Sequence, residues 1–396
     1  MDTATKHTWP SGKRCAWRSL LVLTAGLCLA LMSATAASAA TWSIETTPNA
    51  PEAEDSALYD VSCEPSGFNF CYAAGKKTVG GTASVYGQTR IVGLGWGNQS
   101  LTPPAESTAS ELQSIHCPAY NSCTSAGSYT TKAGTFSLVM ALGTIQETPN
   151  PEGATETRLK GVGCSEVGVC AAVGYSNASG KWAVAMRRSS GVWSLQTVPK
   201  PGSSISSELN GVECASSTSC IAVGGYNTGA STYWGMAAHW NGTEWSLQTV
   251  PKPSESTRST LLDISCTSST ACTAVGGYWQ SGVQKTFVVR WNGTSWTHQT
   301  SPNPSESVNS VLQNVSCASS SACVAVGDWR DSKGTWRPMA EGWNGTTWSL
   351  ESVPNPIGST FGLLEGVSCR NLNTCVAVGW WTDASGNDTT LGEWRE

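Results

Sequence analysis

Leu391–Glu396, LGEWRE, reads as the first half of a motif that is complete elsewhere, as in RWNGTSWTHQTSP over Arg290–Pro302. There a Trp is followed by an Asn-Gly turn, and a second Trp opens another short run that ends at prolines. After Trp394 the second run is missing. TWSIETTPNAP, Thr41–Pro51, has its form and matches TTWSLESVPNP, Thr346–Pro356. The expectation is that the segment around Trp42 pairs beside the segment around Trp394, so that one sheet is completed from both.

The motif belongs to a repeat. Fourteen of the 16 Cys fall in seven close pairs, 63/71, 117/123, 164/170, 214/220, 266/272, 317/323 and 369/375, and the first members recur every 47 to 54 residues. A period of that size is the signature of a repeat architecture. Five residues before each first Cys stands Leu (58, 112, 159, 209, 261, 312, 364), and two before it Val or Ile. Four after each second Cys stands Gly (75, 127, 174, 224, 276, 327, 379). The run up to that Gly, as in CVAVG, alternates small and larger residues with the two-residue period of a strand, one face being made for close backbone approach.

Further along each unit come WNGTEW (Trp240–Trp245), WNGTSW (Trp291–Trp296) and WNGTTW (Trp343–Trp348). Asn-Gly between strand-like flanks signals a two-residue hairpin turn, with both central residues at positive φ. In that register the second Trp lies diagonally across from the first on the same face, close enough to pack. A Pro-x-Pro step then stops ladder pairing and blunts the edge. Four antiparallel strands in about 50 residues make one propeller blade. The expected fold is all-β, a seven-bladed β-propeller with its last blade closed by the N-terminal strand.

Over Thr41–Glu396 the chain resembles exported bacterial repeat proteins of propeller type. Its turn is similar to the Asp-box of sialidase-like propellers, which also joins the outer strands of a blade. Asn-Gly-Thr-x-Trp lacks the Ser-x-Asp-x-Gly spacing, so no residue role carries over, and a shared fold assigns no function.

The repeated five-residue gap, seven in the first pair, favours one local disulfide per unit: Cys63–Cys71, Cys117–Cys123, Cys164–Cys170, Cys214–Cys220, Cys266–Cys272, Cys317–Cys323 and Cys369–Cys375. A four-sulfur zinc site is the weaker reading, because the gap exceeds zinc-finger spacing and the His residues do not follow the repeat. No metal or cofactor is expected.

Residues 1–39 read as a signal peptide, with Lys13, Arg14 and Arg18 ahead of an apolar run from Leu20 to Met32 and then ATAASAA. The run is shorter than the ~20 residues of a membrane-spanning helix, so no span is expected after cleavage. Residues 40–396 are expected to form one domain, secreted or at the cell surface. Four of the 23 basic and one of the 28 acidic residues precede residue 40, leaving 19 against 27 and a net charge of −8. Without clustered Lys and Arg, nucleic acid is excluded as a partner.

Function is expected on the loops joining the second and third strands, where the units differ most: compare GYNTGASTYWG, GYWQSGVQKTF, GDWRDSKGTWR and GWWTDASGNDTT. Six residues after the second Cys stands an aromatic in five units: Tyr129, Tyr226, Tyr278, Trp329 and Trp381. Next to them lie Tyr233, Trp234, Trp279, Trp336 and Trp380. Aromatics among Ser, Thr, Asn and Gly can stack on sugar rings, whereas the five periodic ones fit packing between sheets better. Candidate ligand-binding residues are therefore Tyr226, Tyr233, Trp234, Tyr278, Trp279, Trp329, Trp336, Trp380 and Trp381.

Glycoside hydrolysis would need two opposed carboxylates. Asp328, Asp331, Asp383 and Asp388 sit on candidate loops but read as turn residues, and no recurrent carboxylate marks the first strand. His116, His239 and His298 have no catalytic motif around them; His116 would line a channel, as a structural residue. The expected function is a non-catalytic binding propeller that recognises a glycan. A glycan-active hydrolase or lyase, or a module that binds a cell-surface protein, are the alternatives.

Overall fold

The structure, a computed structural model, describes residues 40–229 and 232–396; the signal-peptide expectation for residues 1–39 lies outside them. The chain is all-β, built from repeated four-stranded antiparallel sheets. In the Cys214 unit, Ser206–Ser216, Ser219–Asn227, Tyr233–Trp240 and Trp245–Gln248 pair in chain order from the inner to the outer strand. The Cys266 and Cys317 units repeat this arrangement and are joined into one eight-stranded sheet by a parallel bridge between Gln284 and Asn309. In the Cys369 unit the outer strand is Trp42–Glu45, which pairs antiparallel with Asp388–Arg395. Trp42 stands opposite Arg395, and the Thr41 and Glu396 backbones exchange hydrogen bonds of 2.8 and 3.2 Å.

Apolar side chains are buried between neighbouring sheets. Ala171 and Val173 of the Cys164 unit pack with Leu209, Val212, Met236 and Trp245 of the Cys214 unit. The same kind of cluster joins the Cys369 and Cys63 units, with Val376 and Val378 against Leu58, Val61 and Trp96.

Every inner strand carries a β-bulge between the repeated Leu and the residue two further on. It brings the inner strand's backbone over the repeated Gly of the second strand. A methyl on Gly75, Gly127, Gly174, Gly224, Gly276, Gly327 or Gly379 would collide with the carbonyl oxygen preceding that Leu. This contact explains why the position is glycine in all seven units.

The WNGTxW turn differs from expectation. Trp240, Trp291 and Trp343 pair directly with Trp245, Trp296 and Trp348, so the loop has four residues rather than two. Only the Gly takes positive φ, between 92° and 100° in Gly242, Gly293 and Gly345. The Asn acts through its side chain: Asn241 Oδ1 accepts from the backbone N–H of Thr243 (2.9 Å) and Glu244 (3.0 Å), as Asn292 and Asn344 do in theirs. The indoles pack across the pair in a tilted arrangement, ring centroids 5.6–5.8 Å apart and planes 37–51° from parallel.

All seven local disulfides are present. Each joins directly opposed residues of the first and second strands, apart from Cys117–Cys123, which lies just beyond the ladder. They leave no thiolates for the zinc alternative. Disulfides in such number are typical of secreted and extracellular proteins, and among the described residues no helix is long and apolar enough to cross a membrane. Replacing both Cys214 and Cys220 by Ala is expected to cost about 2 kcal/mol, the loop entropy of so short a ring. Urea unfolding would measure it; a cost near zero would mean that the bridge constrains nothing the turn does not already fix.

Candidate functional site

The inner strands line a cavity of about 610 Å³, to which all seven Cys units contribute residues. Each inner strand turns one edge toward its neighbour, and side chains satisfy the backbone donors there. Three residues before the first Cys, Asp60, Ser114, Asp263 and Asn314 accept from the N–H of Ile115 (2.9 Å), Val162 (3.2 Å), Val315 (3.0 Å) and Val367 (3.0 Å) in the next unit. One residue before that Cys, Ser62, His116, Ser265, Ser316 and Ser368 accept from the N–H of Cys117, Cys164, Cys317, Cys369 and Cys63, at 2.7–3.1 Å. Where Gly161, Gly163, Gly211 or Gly366 stands at these positions, the neighbouring strand's backbone occupies the space of the absent side chain.

No carboxylate recurs at one position of the inner strand in every unit, but four units place one at the cavity, from differing positions of the repeat. Asp60, Glu213, Asp263 and Glu365 all line the cavity. Burial pushes Asp60 up to about 6, Glu213 to about 8 and Glu365 to about 7, and raises Asp263 well above the usual carboxylate range. His116 lines the cavity as expected. Burial lowers it to about 4, so it is neutral at pH 7 and its Nδ1 accepts the Cys164 N–H.

The bulge places one further residue per unit at the cavity: Tyr59, Gln113, Lys160, Asn210, Leu262, Gln313 and Glu365. Lys160 Nζ lies 2.8 Å from Glu208 Oε2 and 3.1 Å from Asn210 Oδ1, and Lys181 reaches the same Glu208 oxygen at 2.8 Å. Burial would raise Glu208, but the two lysines hold it down to about 2.

The candidate aromatics divide in two. Tyr129, Tyr226, Tyr278, Trp329 and Trp381, the periodic ones, are half-buried against five of the clusters between sheets. Tyr233, Trp234, Trp279, Trp336 and Trp380 belong to none of these clusters and are also half-buried. Tyr233 donates its hydroxyl to Glu208 (2.8 Å), and Trp380 stacks on Phe361 with centroids 4.7 Å apart. Trp234, Trp279 and Trp336 each carry a cation over the ring: Lys252 at 3.9 Å, Arg258 at 4.1 Å and Arg330 at 6.0 Å.

Trp182 was missed in the sequence. It pairs with Ser176 as Trp234 pairs with Tyr226, and Lys200 lies 3.8 Å from its ring. It also lines a 280 Å³ pocket. Ser176, standing where five of the other units have an aromatic, hid the equivalence.

The loop carboxylates serve turns. Asp331 accepts from the N–H of Lys333 and Thr335, both 2.9 Å, and Asp383 from those of Ser385 (2.7 Å) and Asn387 (3.0 Å). Asp388 accepts from Thr382 Oγ1 at 2.8 Å. Asp328 is buried beside Gln313 Nε2 (2.9 Å), and burial raises it to about 6. Among the described residues no three His, Cys, Asp or Glu side chains converge as a metal site.

No known protein family matches the sequence, and no curated protein does. Solved structures do. A protein of unknown function from Dyadobacter fermentans superposes with a TM-score of 0.54 at 10% identity, over 90% of this chain and 98% of that one. A neuraminidase-like protein of subtype N11 from A/flat-faced bat/Peru/033/2010 gives 0.42 at 10% identity, over 90% and 93%. Chaetomium thermophilum Sqt1 bound to the N-terminus of ribosomal protein L10 gives 0.46 at 10%, over 89% and 90%. At such identity the likeness concerns fold alone. The chain is a β-propeller-like repeat protein with a disulfide in every repeat.

Proposed function

We propose that the chain is a closed seven-bladed propeller, exported by its first 39 residues, that binds a glycan at the cell surface or outside the cell without catalysing a reaction. Closure is supported by the step from the Cys369 unit to the Cys63 unit, which repeats the steps elsewhere. Ser368 Oγ accepts from Cys63 N–H as Ser62 Oγ accepts from Cys117 N–H, and an apolar cluster fills that interface too.

The observation that carries the binding function is the contrast between aromatics and carboxylates on the variable loops. Trp234, Trp279 and Trp336 keep half-exposed rings outside the clusters between sheets, while Asp331, Asp383 and Asp388 are occupied by their own turns. Flat rings among hydroxyls and amides, with no opposed carboxylates, suit a sugar that is held and left intact. The hydrolase or lyase reading draws on Glu213 and Glu365, whose raised pKa values suit proton donors in the cavity.

A glycan array probed with the purified protein tests this. Trp279→Ala and Trp336→Ala are expected to weaken the retained glycan about tenfold each, the scale of one lost aromatic platform, with little change in melting temperature. Shortening of the bound glycan would favour the enzyme. No glycan bound, together with one protein partner recovered by pull-down, would replace the sugar reading with protein interaction.

A further inference from the structure

In six units the outer strand carries a buried Trp near its start: Trp96, Trp193, Trp245, Trp296, Trp348 and, in the Cys369 unit, Trp42, each only 3–9% exposed. The Cys117 unit has none. There the third and outer strands are joined by Leu142 and Gly143, and Met140 pairs with Ile145 as Ala238 pairs with Leu247 in the Cys214 unit. The shared register sets Gly143 at the position of Trp245.

A cavity of about 370 Å³ lies at that place, between the Cys63 and Cys117 units. Its walls reproduce the surroundings of Trp245. Leu112, Ile115, Cys123 and Ser125 stand where Leu209, Val212, Cys220 and Ala222 pack near that indole, and Tyr72 and Ala74 stand where Ala171 and Val173 do. Leu101 reaches toward Gly143 and covers part of the space.

We propose that this cavity is a binding site for one indole-sized aromatic group. A core position stripped of a large side chain keeps a cavity when its neighbours relax only partly, and Leu101, Leu112, Ile115 and Met140 offer a flat ring apolar contact beside the polar Gln99, Ser125 and Thr144. In three units the indole N–H is met by the outer strand of the preceding unit: Trp42 donates to Glu351 (2.7 Å), Trp96 to Glu45 (2.9 Å) and Trp296 to Gln248 (2.9 Å), whereas those of Trp193, Trp245 and Trp348 have no partner among the described residues. Here Gln99 lines the cavity from the preceding unit, at the position that Gln248 holds in the Cys214 unit. Its amide nitrogen donates to Thr89 Oγ1 (2.7 Å), which leaves the amide oxygen to accept from a ring N–H. The group could arrive as a free indole compound or as the Trp side chain of a peptide. The chemistry recognised is the same.

Calorimetric titration of the purified protein with indole, and in parallel with N-acetyl-tryptophanamide, separates the two sources. Expected is one site per chain and a melting temperature that climbs with the logarithm of free indole. Binding of the amide as well would assign a peptide Trp, and binding of indole alone a free small molecule. Ala74→Leu and Ser125→Leu, which fill the cavity from opposite walls, are expected to weaken indole at least about tenfold while the protein still melts cooperatively. Trp245→Gly is expected to raise the stoichiometry to two by opening the equivalent space. Absence of indole binding at about 1 mM to the unaltered protein, or undiminished binding by both filled variants, would overturn the assignment.

Discussion

Deleting residues 40–50 is expected to destabilise the domain by on the order of 5 kcal/mol, a large share of the total stability of a typical domain. The segment contributes the outer strand beside Asp388–Arg395, and its Trp42 is buried with an N–H bond to Glu351. Glu45 makes a two-point ion pair with Arg90, at 2.6 and 2.7 Å, and accepts from Trp96. Without Glu45 the Arg90 guanidinium stays buried and loses its carboxylate, the costliest way to break such a pair. On the other side Arg395 grips Glu351 at 2.7 and 2.6 Å, so a two-point ion pair stands on each flank of this one sheet.

Thermal and urea unfolding of the truncated protein would measure the loss. A synthetic peptide of residues 41–51, added to the truncated protein, is expected to restore much of the lost melting temperature by mass action. A truncated protein as stable as the original would show that the segment pairs without supporting the fold.

Stability is also expected to fall as the pH rises from about 5 to 9, because Glu341 and Glu393, buried between sheets, add to the raised carboxylic acids of the cavity lined by the inner strands, Glu213, Glu365 and Asp263. Glu341 and Glu393 are both fully buried. Burial pushes Glu341 up to about 8, Ser301 Oγ offsetting part of the rise, and Glu393 to about 9. Ser301 lies 2.6 Å from Glu341 Oε2, whereas neither oxygen of Glu393 has a hydrogen-bond partner among the described residues.

Both groups hold their proton in the folded state at pH values where the unfolded chain has released it. Their stabilisation is complete below the unfolded value, roughly 4.3, and is lost as the pH climbs through the folded one. In between, each group costs about 1.4 kcal/mol per pH unit. Glu208 works in the opposite sense but only in acid. Held down to about 2, its contribution is present above the ordinary Glu value and disappears as the pH drops through the folded one. Urea midpoints at pH 6, 7.5 and 9 should therefore decline, and Glu341→Gln with Glu393→Gln should make the decline shallower. A parallel decline in the double variant would assign it to other groups.

The repeated Leu, Cys and Gly were legible because each answers one steric demand that every unit shares: a core contact, a cross-strand bridge, a crowded backbone crossing. The acceptors along the inner strands were not. Asp60, Ser114, Asp263 and Asn314 do the same task with different residue types, and Gly161, Gly211 and Gly366 interrupt the series. A search for any hydrogen-bond acceptor three residues before the first Cys, rather than for a fixed residue, would have found them. The Asn-Gly turn was misread because Asn241 takes no positive φ and caps the loop by its side chain instead. The division of the aromatics was legible in their spacing, since in the five units that have one the periodic aromatic packs against a cluster between sheets.

The disulfides have a consequence for biogenesis. Each links residues six or eight apart in the chain, inside one unit and never between two. A unit emerging into an oxidising compartment already holds both of its own sulfurs, and the matching partner is much nearer along the chain than any rival. Each pair can therefore close independently of the other units, and maturation should make little demand on a disulfide isomerase.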